Sequence, residues 1–217
     1  MKKALLRCDV YRVLALGFEV PLEKNLRELQ AILQDLLEVQ SLGKIFKKML
    51  REVKRAKAQD LEEEYHLLFT TKVLCPPSEG SYHLTERGPI LGDVTAFYRA
   101  FELNFLAHEG PPDSIKMELA FLSYMALKEA YAAENNMLKE AEITHEAQKS
   151  FLRDHLGRWG SGLAEKVMQN TTAPFYHSLA KFLQLWLDFE NDLFKIQPLR
   201  LPVSLPRAEE EPVACAL

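Results

Sequence analysis

The sequence predicts an all-α protein: a single helical globule over residues 1–196, followed by an extended proline-rich tail over 197–217. Three observations carry that prediction. Apolar side chains recur every three or four residues along most of the chain, no stretch alternates with the period of two that a half-buried strand needs, and no segment repeats another.

The first clear stripe is Leu22, Leu26, Leu29, Leu33 and Leu36 behind Pro21, a residue suited to a helix start. A second is Ile45, Phe46, Met49, Leu50 and Val53, whose opposite face carries Lys44, Lys47, Lys48, Arg51, Lys54, Arg55 and Lys57. A third helix runs from about 59 to 69, with Leu61, Tyr65 and Leu68 inward and Glu62 and Glu63 outward. Between 70 and 92 the pattern breaks into turn chemistry, Cys75-Pro76-Pro77-Ser78-Glu79-Gly80-Ser81-Tyr82 and then Gly88-Pro89. Tyr82 and Leu84 favour an ordered loop, and loops of that length are commonly functional. Periodicity resumes with Val94, Phe97, Tyr98, Phe101 and Phe105, read as core, and stops at Gly110-Pro111-Pro112. Asp113 or Ser114 then offers a cap to a helix bearing Ile115, Leu119, Leu122 and Ala126, which fades near Asn135-Asn136. The next carries Gln148, Phe151, Leu152, His155, Leu156 and Trp159, with Gly157, Gly160 and Gly162 as its end. The last opens at Pro174 and carries Phe175, Leu179, Phe182, Leu183, Trp186 and Leu193. Pro198, Pro202, Pro206, Pro212 and the acids Glu209 to Glu211 mark an extended, mobile tail.

With 217 residues, the chain can bury roughly 70% of its unfolded surface in one core. Lys and Arg total 27 against 31 Asp and Glu, a net charge of -4, which argues against a general nucleic-acid binder. Cys8, Cys75 and Cys215 are scattered and odd in number, which argues for a reducing compartment rather than a disulfide framework. Met1-Lys2-Lys3-Ala4-Leu5-Leu6 begins like a secretory leader, but Arg7, Asp9 and Arg12 interrupt it, and no apolar run is long enough to span a bilayer. The expected location is the cytoplasm.

The six histidines show no HExxH spacing and no cysteine pair has zinc-site spacing, so no metal site is expected and each His reads as structural or superficial. Ser161 lacks the strand-to-helix elbow of a nucleophilic serine, and no phosphate-binding glycine loop occurs. The chain therefore reads as a non-enzyme without a cofactor. The basic face between Lys44 and Arg55 supports an alternative, a helical nucleotide- or phosphate-binding regulator, although a solvated helix face is its default meaning. Tyr65, Phe69 and Tyr82 flank the irregular loop, and their pattern serves equally a peptide groove or a set of anchors pinning the loop to the core. Glu79 and Asp113, placed in turns, are expected to be open carboxylates able to pair with arginine; Asp113 as an N-cap and Glu118 as a surface helix residue are the plainer alternatives.

Taken in order, Glu64-Tyr65 with Leu68-Phe69, Pro77-Ser78-Glu79-Gly80-Ser81-Tyr82, Pro112-Asp113 with Glu118-Leu119 and Phe121, then Gln148, Phe151-Leu152, His155-Leu156, Trp159 and Phe175-Tyr176 resemble the TorD/DmsD/NarJ family of molybdoenzyme maturation chaperones. The resemblance runs from about 61 to 187. It implies a TorD-like helical domain without catalytic turnover that binds the twin-arginine signal peptide and apoprotein of a molybdenum-containing oxidoreductase, assists cofactor insertion and delays export. It implies a peptide site at Tyr65, Leu68, Phe69, Glu79, Tyr82, Asp113, Ser114 and Glu118, the family often having His where this chain has Ser114. The expected form is a solvent-open apolar furrow edged with carboxylates. A homodimer formed by exchanging an element at the loop is left open.

Overall fold

Nine α-helices carry the described residues: α1 (Lys2–Gly17), α2 (Glu23–Leu36), α3 (Gly43–Arg55), α4 (Ala58–Tyr65), α5 (Arg87–Ala100), α6 (Ile115–Glu134), α7 (Leu138–Asp154), α8 (Leu156–Asn170) and α9 (Pro174–Phe194). A π-helical turn at His66–Thr70 and a 3-10 turn at Glu79–Tyr82 complete them, with no strand among the described residues. The computed structural model describes residues 2–37, 43–104 and 110–202. Phe105, His108 and the tail from 203, with Glu209 to Glu211 and Cys215, lie outside them.

Spacing translates directly into burial in α2, where Leu26, Leu29, Leu33 and Leu36 face inward, and in α3, where Phe46, Met49, Leu50 and Val53 do. α2 folds back on α1, α3 lies on α2 and α9, α8 packs along α9, and α7 joins α6 to α8. The most extensive pairing joins α1 to α6. Phe97, Tyr98, Phe121 and Phe151 form one aromatic cluster, with Phe121 and Phe151 centroids 4.7 Å apart. α9 starts on Pro174 as expected and ends where Lys195 takes a left-handed conformation, φ 53°.

α1 is the helix that spacing did not announce. Its apolar residues spread around the helix instead of forming one stripe, because Val10, Tyr11, Val13 and Leu14 are all buried. Arg7, which interrupts the leader-like start, is itself buried at a junction of four helices. Its Nε donates to Glu190 Oε1 at 2.8 Å, Nη1 to Glu129 Oε2 at 2.9 Å and Nη2 to Gln148 Oε1 at 2.8 Å. Tyr11 donates to Glu190 Oε2 at 2.7 Å, and the guanidinium lies over the Phe194 ring at 4.7 Å. A buried charge persists only when paired and hydrogen-bonded, and here α1, α6, α7 and α9 each supply part of the pairing.

Two expectations about glycine are corrected. Gly157, Gly160 and Gly162 do not end a helix; they lie inside α8, and the chain breaks two residues before Gly157, at His155 (φ -124°, ψ -102°). Their smallness serves close packing. A Cβ on Gly157 would collide with the Leu152 carbonyl and lie 2.7 Å from Pro198 Cγ, and one on Gly160 would lie 2.8 Å from Leu187 Cδ1. Gly88-Pro89 likewise does not extend the loop but forms the first turn of α5, where an N–H has no helical partner to lose. After α9, residues 197–202 lack regular structure yet are seated, since Leu201 N–H donates to Arg158 O at 2.9 Å.

Candidate functional site

The loop after α4 is fastened to the start of α6 by backbone. Glu79 N–H donates to Asp113 O and Ile115 N–H to Pro77 O, both at 2.8 Å, and Ser78 pairs with Ser114 as an isolated bridge. This brings six of the eight expected site residues to one place: Glu79 and Tyr82 from the 3-10 turn, Asp113 and Ser114 before α6, and Glu118 within it. Leu68 joins through its carbonyl, which accepts from Cys75 N–H at 2.8 Å. Tyr65 and Phe69 form an adjoining aromatic group, 5.4 Å apart, with Phe69 also against Phe18 at 5.9 Å and Tyr176 at 5.8 Å.

All eight side chains are buried, so the expected open furrow edged by them is corrected. Tyr65 is 9% exposed, Phe69 4%, Glu79 1% and Asp113 0%. Turn position misled because each carboxylate is claimed from within. Glu79 Oε2 meets His155 Nδ1 at 2.9 Å and its Oε1 meets His83 Nε2 at 3.1 Å. Asp113 accepts from Gly80 N–H at 3.1 Å and from both arms of Arg87. It is therefore not the side-chain cap of α6, and the Ser114 hydroxyl, at the cap position, accepts no capping hydrogen bond either. Glu118 is not on the surface: its Oε2 accepts from Trp159 Nε1 at 3.0 Å, and Trp159 packs on Tyr82 at 5.3 Å. Tyr82 donates to Pro76 O at 3.0 Å. Of the two meanings open to the aromatics, the geometry corresponds to anchors that pin the loop.

Three carboxylates this close cannot all be charged out of water. Burial, and then the nearby Glu79 carboxylate, raise the Glu118 pKa well above the usual carboxylate range, with Asp113 adding to the effect against the Trp159 N–H. The shift favours the protonated form of Glu118 relative to an exposed carboxyl. Burial also pushes the Cys75 thiol up to about 12, so it behaves as an inert apolar group. Burial likewise raises Tyr65, and the Glu19 carboxylate adds to that rise.

Glu19 marks the open feature that adjoins this buried cluster. A groove of about 680 Å³ runs between α1 and α6, with Ala15, Leu16, Met117 and Ala120 as apolar lining and Leu127 and Tyr124 toward one end. Two ion pairs stand at its rim. Lys116 Nζ lies 2.9 Å from Glu19 Oε2, and Arg12 Nε lies 2.9 Å from Glu28 Oε1. Both pairs reach solvent, the Glu19 and Glu28 side chains being 34% and 40% exposed. Sequence reasoning missed Arg87, Glu19 and Glu28; each is a lone charge whose partner lies elsewhere in the chain, and no local spacing reports that.

The fold has a relative among solved structures, a putative redox enzyme maturation protein from Archaeoglobus fulgidus, at TM-score 0.59 and 20% identity over 83% of this chain and 93% of that one. That likeness defines the class of fold, an all-helical domain. A family profile described as nitrate reductase delta subunit matches residues 21–165. That is roughly two-thirds of the 217 residues, and the chain belongs to this family, the NarJ/TorD type of redox-enzyme maturation chaperone, which is non-catalytic. No curated protein matches it in sequence. No helix among the described residues is long and apolar enough to cross a membrane.

Proposed function

We propose that this chaperone works in the cytoplasm, capturing the twin-arginine signal peptide of a molybdenum-containing oxidoreductase and holding the apoprotein for cofactor insertion before export. The supporting observation is the α1–α6 groove with its apolar lining and solvent-reaching Glu19 and Glu28. A guanidinium binds carboxylate through two parallel hydrogen bonds, so peptide arginines would displace Lys116 and Arg12 at little net loss of pairing. The apolar part of the peptide would lie on Leu16, Met117 and Ala120. Burying two or three large side chains there contributes roughly 3 to 9 kcal/mol before association and ordering costs, enough for micromolar binding. In this reading Tyr65, Leu68, Phe69, Glu79, Tyr82, Asp113, Ser114 and Glu118 position the start of α6, and with it Lys116, rather than touch the peptide.

Calorimetric titration with the signal peptide of a molybdenum oxidoreductase from the same cell is the test. Binding should weaken at least tenfold in Glu19→Gln with Glu28→Gln, and on replacing both peptide arginines by alanine. Absence of heat with the intact peptide overturns the reading, and undiminished binding by the folded double variant moves the site away from this groove.

A further inference from the structure

Three lysines share one cleft that contains no acid. Lys44 and Lys48 of α3 and Lys181 of α9 line a recess of about 250 Å³ whose apolar floor is Ile45, Met49 and the exposed Leu185. Lys181 Nζ donates to the neutral Gln184 Oε1 at 2.9 Å, and among the described residues none of the three lysines forms an ion pair. The acids nearest along α3 and on the same face of α9 do not reach them. Glu52 faces Arg51 at 3.7 Å, and Asp188 and Asp192 stand about two and three turns beyond Lys181.

The last described stretch of the chain is fastened on the same face of α9. Arg158 Nε donates to Leu199 O at 3.2 Å, Leu201 N–H donates to Arg158 O at 2.9 Å, and Arg200 Nη2 lies 3.9 Å from Asp188 Oδ1. Asp188 and Lys181 are seven residues apart on α9, hence on one face and about 10 Å apart along the axis. Glu209-Glu210-Glu211 begin seven residues after Pro202, a reach of about 23 Å for an extended chain. That reach covers the distance along α9 and the step across to α3.

We infer that Glu209, Glu210 and Glu211 occupy the lysine cleft of their own chain. Three carboxylates match three ammonium groups, and Arg207, the one base beside them, leaves the segment net acidic. Pro212 and Val213, directly after the triplet, supply apolar surface for Met49 and Leu185. A free phosphate would meet the lysines but leave that floor uncovered. A short tether also gives the segment an effective concentration on the order of millimolar, which an acidic peptide from another protein lacks. The contact joins charges at a solvent-reaching site, so salt weakens it.

Zero-length carbodiimide coupling, which joins a carboxylate to an amine where the two touch, tests this on the full chain, with the joined peptides identified by mass spectrometry. The expected result is coupling of the triplet to Lys44, Lys48 or Lys181 in the monomer band, at a yield independent of protein concentration. Coupling to Lys54 and Lys57, exposed lysines outside the cleft, should be at least fivefold lower, and about 1 M salt should reduce the cleft yield at least fivefold. In the variant with Lys44→Gln, Lys48→Gln and Lys181→Gln, tryptic cleavage after Arg207 should quicken at least fivefold, since the tail sequence that trypsin meets is unchanged. All three positions are exposed, and an unchanged thermal melt establishes that the variant folds. Coupling no greater at the cleft than at Lys54 and Lys57 overturns the inference. So does coupling confined to a dimer band, which would put the segment on another copy, or an unchanged cleavage rate in the folded variant.

Discussion

Arg87 grips Asp113 with both arms of its guanidinium, Nε to Oδ2 at 2.9 Å and Nη2 to Oδ1 at 2.5 Å, so the carboxylate best placed by sequence to receive a foreign arginine already holds one from its own chain. The pair closes the loop between α4 and α5 over the start of α6, where Gly80 N–H shares the same carboxylate. Removing Arg87 strands a fully buried acid. Arg87→Ala should cost about 1–3 kcal/mol, less than a wholly buried pair because the guanidinium is partly in solvent. Arg87→Lys should recover only part of that, since a single ammonium cannot copy the fork. Urea melts of both variants check the order.

Arg7 supports a second, larger prediction. Its partner Glu190 is fully buried, so Arg7→Ala leaves an uncompensated charge at the α1–α6–α7–α9 junction. A loss of about 3–5 kcal/mol is expected in urea melts. Acid should act on the same junction. Burial alone would raise the Glu129 pKa, but the Gln148 amide, Arg7 and His145 outweigh it and hold the carboxyl below its usual range. A depressed folded pKa stabilises above the unfolded value of about 4.5, and that contribution is lost as pH falls through the folded one. Glu129→Gln should therefore flatten the decline in stability below about pH 4.5.

Glu118 predicts the opposite slope. Its folded pKa is raised, so the folded state holds a proton that the unfolded chain releases above about 4.5, and stability drains as pH climbs from there toward the folded value. Glu118→Gln keeps an oxygen for Trp159 Nε1 and has no proton to lose. The stability of the variant relative to the parent should improve as pH rises from about 4.5 toward the folded pKa. A constant difference across that range would show that Glu118 does not titrate there.

Glycine substitutions should divide by what a methyl group would meet. Gly157→Ala drives a Cβ into the Leu152 carbonyl and the seated Pro198, both fixed, and should cost about 1–3 kcal/mol or more. Gly92, inside α5, has nothing within 4 Å, so Gly92→Ala should stabilise by about 0.5–1 kcal/mol through helix propensity alone. Thermal melts of the two variants, moving in opposite directions, are the measurement.

By itself the sequence determined the helical class, the inward faces of α2, α3 and α9, and, through the ordered succession of short motifs, the family. Those properties are written locally: helical periodicity records which face is apolar, and motif order survives without knowledge of contacts. Only the tertiary structure decided which polar residues reach water. Glu79 meets His155 across 76 positions and Arg87 meets Asp113 across 26, so their burial depends on what docks over them and not on the turns in which they sit. The same holds for α1, whose evenly spread apolar residues acquire meaning only when α2, α6 and α9 close around it, and for the glycines of α8, which read as breaks until Leu187 and Pro198 are brought against them. Exposure is a property of the assembled surfaces, and a linear pattern states what a residue can bury but not what arrives to cover it.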